Sequence, residues 1–246
     1  MNASLPMYMR PELAEDHNLY WSLIKKHLNQ YSINVSGDLQ HPSDFNAFWL
    51  DKNLLLSQTC GMPYRNSLHG KVQLVGTPDF NISGCKPGYY CSAMVVRPED
   101  KDKPLTEFKN RVLAYNSKGS QSGYSAPYWH CHDAGFWFDK TYCSGGHQLS
   151  ALAVLDGTAD IAAIDAVTWR MLCTYESYTN NLWVMDWTKP TPGLPYITSL
   201  DHEPEKIHKA VSLAIDELPV SAKERLGIRS LVRFEAQDYL AIKNPE

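Results

Sequence analysis

The segment NSKGSQSGYSA (116–126) decides how this chain is read. It follows a short apolar run, RVLAY (111–115), and precedes residues that can turn helical. It holds four serines, two glycines and a single charge, Lys118. A strand, a loop of this kind and a helix make one unit of an α/β fold. At a helix start the backbone N–H groups are unpaired and the macrodipole is positive. Glycine and serine there let the backbone approach an anion closely, and hydroxyls add donors. The segment therefore suits a phosphate-like oxyanion held without a full counter-charge. A plain serine N-cap after a Gly turn uses the same residues. The P-loop pattern G-x-x-x-x-G-K-[ST] is absent. Pro127 kinks or shortens the helix unless it falls in the first turn.

A second Gly-rich helix entry, GGHQLS (145–150), places His147 near a first turn. Taken alone it reads as a capping turn with an exposed histidine. The run IAAID then ends at Asp165, which also reads as the N-cap of AVTWRML. Further strands are expected at ASLPMY (3–8), LLLS (54–57), VQLVGT (72–77), YYCSAMVVR (89–97), LWVMDW (182–187) and YITSL (196–200). Helical spacing of apolar residues marks 11–28 and 204–218. Strands alternating with helices predict α/β with sheets rich in parallel pairs. Ligands of such sheets bind beyond the carboxyl ends of the strands. The residues to inspect are then Tyr8, 57–60, 116–123, 145–147 and Asp165.

The chain has 246 residues, with 23 Lys and Arg against 27 Asp and Glu, a formal charge of −4. That length holds one large domain or two small ones. The charge balance does not indicate a nucleic-acid surface. No run approaches the roughly 20 apolar residues that span a bilayer. The N-terminus lacks a basic segment followed by an apolar one, so no signal peptide is visible. The chain is then cytoplasmic as it stands, or periplasmic or cell-surface if a leader has been removed.

The six cysteines fit no zinc spacing. WHCHD (129–133) gathers His130, Cys131, His132 and Asp133, but alternate residues of a helix do not share a face. Cys143 with His147 forms a conceivable nucleophile pair with no evident third residue to orient it. Neither G-x-S-x-G nor H-E-x-x-H occurs. No catalytic residue, metal site or cofactor is expected.

The motifs ASLPMY, LLLSQTCGMPY, VQLVGTPDF, GC (84–85), GYYCSAMVVR, NSKGSQSGY, GGHQLSALAVLDGTADIAAIDAVTW and PTPGLPYIT follow one another in this order. Together they resemble the phosphate/phosphonate-type substrate-binding proteins of ABC importers, nearly end to end. The resemblance implies a two-lobed, type II periplasmic-binding-protein fold. Each lobe would be a mainly parallel sheet flanked by helices. One lobe would comprise 1–94 plus 188–246 and the other 95–187. A two-segment hinge would run through YYCSAMVVRP and MDWTKPTPG, with a small phosphorus oxyanion held in the cleft. It further implies ligand contacts from Ser120, Gln121, Ser122, His147 and Asp165 on one lobe. Tyr8, Gln58, Thr59 and an aromatic at Tyr89 or Tyr90 would contribute from the other lobe and the hinge. Cys60 and Cys85 would be bridged if the protein is exported. The expected partners are the oxyanion and an ABC permease, with the binding protein a monomer. The alternatives are a cytosolic ligand sensor or a small-molecule enzyme on the same fold.

Overall fold

A computed structural model describes all 246 residues. The chain forms two compact units. One comprises Met1–Tyr89 and Pro192–Ile242, the other Tyr90–Thr191 and Lys243–Glu246. The first two passages between them fall inside the two segments read as a hinge. There Tyr89–Tyr90 and Thr191–Pro192 pair as a short two-stranded ribbon. The first division lies ahead of residue 94 because Ser92–Val96 belongs wholly to the second unit's sheet, paired residue for residue with Ile161–Asp165. Tyr89–Arg97 is therefore not one strand. It breaks at Cys91 and serves two sheets.

In the first unit, five strands lie in the order Asn2–Ser4, Leu54–Gln58, Tyr196–Ser199, Val72–Asp79 and Ser230–Val232. Only the first pair is parallel. The expected strand at 3–8 is short: it ends at Ser4, and Pro6, which has no N–H to give a ladder, stands two residues on. The helices Ala14–Gln30 and Pro204–Glu217 flank this unit, and Pro204 occupies a first-turn position, where its missing N–H costs nothing.

The second unit's sheet runs Lys140–Cys143, Val112–Tyr115, Ile161–Asp165, Ser92–Val96, Trp183–Trp187. The first three strands are mutually parallel and the last two join antiparallel. Both sheets are thus mixed, not mainly parallel. Parallel neighbours need a crossover connection, usually a helix. Tyr196–Ser199 and Ser92–Val96 each follow a passage between units instead, and each inserts antiparallel in the middle of a sheet.

Alternation along the buried strands divides this unit's core between two faces. Ala93, Val95, Ala162 and Ile164 pack with the helices His147–Leu155 and Ala166–Tyr175. Met94, Val96, Ile161 and Ala163 pack with Phe108, Cys131, Phe136 and Phe138. A sheet covered on both faces needs continuous apolar strands, which is what AMVV (93–96) and IAAI (161–164) supply. No helix is long and apolar enough to cross a membrane.

Candidate functional site

The three parallel strands of the second unit set the site. Val112–Tyr115 leads into the serine loop, Lys140–Cys143 into the His147 entry, and Ile161–Asp165 ends on Asp165. The residues singled out after each of these strands therefore emerge at one sheet edge, the carboxyl edge where α/β ligands bind.

The serine loop does not open an ordinary α-helix. Gln121–Ser125 is one turn of π-helix that runs directly into the α-helix Ala126–Asp133. Ser125 N–H donates to the carbonyl of Ser120, and Ala126 N–H to that of Gln121, each spanning five residues. Ser120 caps the turn: its backbone is extended and its Oγ accepts from the N–H of Gly123 at 3.0 Å. Wide turns of this kind are frequent at functional sites. Gly123 is closely packed here: a Cβ would lie 1.9 Å from Asn116 Oδ1. Ser120, Gln121 and Ser122 are all buried.

Ser122 Oγ is 3.0 Å from His147 Nε2 and 3.5 Å from Ser120 Oγ. The His147 entry is tied down by Ser144, whose Oγ donates toward the Tyr115 carbonyl at 3.2 Å and accepts from Gly146 N–H at 3.3 Å. Gly145, at φ +88°, takes a left-handed turn that a side chain would strain. His147 is half-buried as a residue, but its Nδ1 is fully enclosed. Burial drives its pKa down to about 4, with the backbone of Ala163 opposing the shift. Near neutral pH the imidazole is uncharged. The cluster thus offers hydroxyls, helix-entry N–H groups and a neutral ring.

Asp165 is buried and caps the next helix, its Oδ1 accepting from Thr168 N–H at 2.9 Å. In the first unit Gln58 and Thr59 end the Leu54–Gln58 strand. Gln58 Nε2 donates to the Leu194 carbonyl at 3.3 Å, and Thr59 is fully buried. Tyr8 is buried with its ring edge-on to Phe80 at 4.8 Å. Tyr89 packs edge-on to Phe234, and Tyr90 is buried.

Cys60 and Cys85 are both half-buried and belong to the first unit. WHCHD lies on a helix and its polar side chains diverge. His130 pairs with Asp186 at 2.9 Å, Asp133 with Lys189 at 2.6 Å, and Cys131 is buried with its thiol pushed up to about 12 by desolvation. No group of three such residues is placed to hold a metal. Cys143 Sγ faces the Asn116 carbonyl, while His147 faces Ser122.

Sequence reading missed Ser92. Its Oγ donates to the carbonyl of Ser122 at 2.8 Å from inside a fully buried strand. A lone serine in SAMVV carries no local signal.

Residues 67–239 match the model of a family described as ABC transporter, phosphonate, periplasmic substrate-binding protein. No curated protein matches the chain. Among solved structures, PhnD1 from Prochlorococcus marinus in complex with methylphosphonate is similar at 17% identity and TM-score 0.75, covering 98% of this chain and 95% of that one. A binding-protein component of an ABC phosphonate transporter from Pseudomonas aeruginosa is similar at 15% identity and TM-score 0.70, covering 98% and 83%. A Xanthomonas citri protein bound to chloride ion is similar at 12% identity and TM-score 0.73, covering 98% and 94%.

Proposed function

The chain belongs to the periplasmic substrate-binding proteins of ABC phosphonate transporters, and from that premise we propose that it captures a small phosphorus oxyanion, a phosphonate, phosphite or phosphate, for import. The observation that carries this reading is the Ser120–Ser122–His147 cluster at the π-helical entry. The N–H groups of a helix entry and two hydroxyls can cradle a tetrahedral oxyanion. The cradle needs no lysine or arginine, and the neutral His147 adds no charge of its own. Phosphorus oxyanions present several acceptor oxygens at tetrahedral angles, which such a convergent set can meet.

The binding step needs no chemical conversion. Catalysis would call for a base poised near the working pH. His147, held at about 4, is a poor one. We propose Gln121, Asp165, Tyr8, Gln58, Thr59, Tyr89 and Tyr90 as the remaining ligand contacts. An ABC permease is the proposed partner and the periplasm the proposed location.

A thermal-shift screen of methylphosphonate, phosphite, phosphate, sulfate and malate tests the reading. A ligand at a hundredfold excess over its Kd stabilises the native state by about 2.7 kcal/mol. The expected result is a clear shift with at least one phosphorus oxyanion and none with malate. No shift with any phosphorus oxyanion, or chemical conversion of one that binds, overturns it.

A further inference from the structure

The π-turn has a defect written into its sequence, and one residue outside it makes the defect good. In the π pattern, carbonyl i receives the N–H of residue i+5. Ser120 receives Ser125 and Gln121 receives Ala126. The next acceptor, Ser122, should receive residue 127. That residue is Pro127, which has no N–H. A buried carbonyl without a partner is costly. The donor it receives is the hydroxyl of Ser92, at 2.8 Å.

Ser92 is itself held from two sides. Its N–H donates to Thr188 Oγ1 at 2.9 Å, and its carbonyl accepts from Thr188 N–H at 3.0 Å. In the sheet it stands opposite Asp165, the N-cap of the following helix. It is 1% exposed, so no solvent competes for the Ser122 carbonyl.

We propose that Ser92 is a positioning residue for the oxyanion cradle, its hydroxyl replacing the N–H that Pro127 lacks and thereby fixing the backbone that presents Ser122 to the ligand and to His147. Ser92 acts through Ser122 and does not itself touch the anion. Pro127 and Ser92 form a functional pair: the proline frees the carbonyl, and the serine captures it from the sheet, so the turn is pinned to a strand as well as to its own helix. The cradle is thereby pre-organised, and ordering cost is removed from binding.

This rests on the oxyanion reading above, and the test separates the two. Ser92→Ala, Ser92→Thr, Pro127→Ala and the double variant Ser92→Ala/Pro127→Ala are made in the full chain. Isothermal titration with methylphosphonate and the 13C carbonyl shift of Ser122 in ligand-free protein are read for each. Ser92→Ala should weaken methylphosphonate binding about tenfold, the worth of one well-made buried hydrogen bond, and move the Ser122 carbonyl resonance toward its unbonded position. Ser92→Thr keeps the hydroxyl and should retain most of the affinity. In the double variant residue 127 again has an N–H, so both the resonance and most of the affinity should return. A merely structural serine would show no such rescue by a change at Pro127. A Ser122 resonance unmoved by Ser92→Ala overturns the proposal, as does a loss of affinity that Pro127→Ala does not shrink. Failure of the unmodified protein to bind any phosphorus oxyanion overturns the function while leaving the carbonyl shift to decide the role of Ser92.

Discussion

Ser122 Oγ and His147 Nε2 meet at 3.0 Å across 25 residues of sequence, brought together by two parallel strands on either side of nothing but their own ladder. The pair joins a hydroxyl from one helix entry to a ring from the next. With Ser120 at 3.5 Å it forms a row of three side chains. Replacing Ser120 and Ser122 together with alanine should therefore weaken methylphosphonate binding by about 1–3 kcal/mol. Titration calorimetry reads this directly. Unchanged affinity would remove the cradle from the site.

His147 also makes stability depend on pH. Its folded pKa is depressed to about 4 by burial, against about 6.5 in the unfolded chain. Between those values the unfolded state binds the extra proton, so stability rises with pH. The neutral ring's contribution is complete above about pH 6.5 and is lost as pH falls toward 4. Urea unfolding of the wild type should weaken across that window more steeply than that of His147→Gln. Parallel slopes for the two proteins would contradict the assignment.

Gly123 leaves no room for a methyl group. Its Cβ would overlap Asn116 Oδ1, so Gly123→Ala should destabilise the fold by about 1–3 kcal/mol through overpacking. Adding Asn116→Ala should recover part of the loss, because the obstructing atom is a side chain. A full-cost double variant, measured by chemical denaturation, would locate the strain elsewhere.

The thiols should separate kinetically. Cys143 and Cys173 are exposed, whereas Cys131 is buried with its thiol raised to about 12. Thiolate is the reactive form. A disulfide reagent near neutral pH should modify Cys143 and leave Cys131 untouched until the protein unfolds. Peptide mapping that finds Cys131 labelled in the native protein would show the second unit's core to be open.

The parts of the fold legible in the sequence were those with a local cause. RVLAY before a serine-rich loop, and IAAID before AVTWRML, gave their elements and their common sheet edge through apolar runs that stop at polar, turn-forming residues. Lys140–Cys143 and Ser230–Val232 gave no such signal, since each is an edge strand with little buried surface to impose a pattern. The sheets' mixed sense was hidden for another reason. Strand direction is set by long connections that no local residue pattern marks, and Tyr89–Arg97 gives no turn signal at the point where it changes sheets. In the site, Ser120, Ser122 and His147 could be found because glycine and serine cluster at helix entries. Ser92 could not, because its task is set by a proline 35 positions later in the chain.

The last four residues belong with the second unit, where the Lys243 carbonyl accepts from Trp129 Nε1 at 2.9 Å. The chain passes between units at 89/90, at 191/192 and again at 242/243. An odd number of passages leaves the two ends of the polypeptide on different bodies. A fluorophore at Met1 and another at Glu246 would then each ride on its own unit.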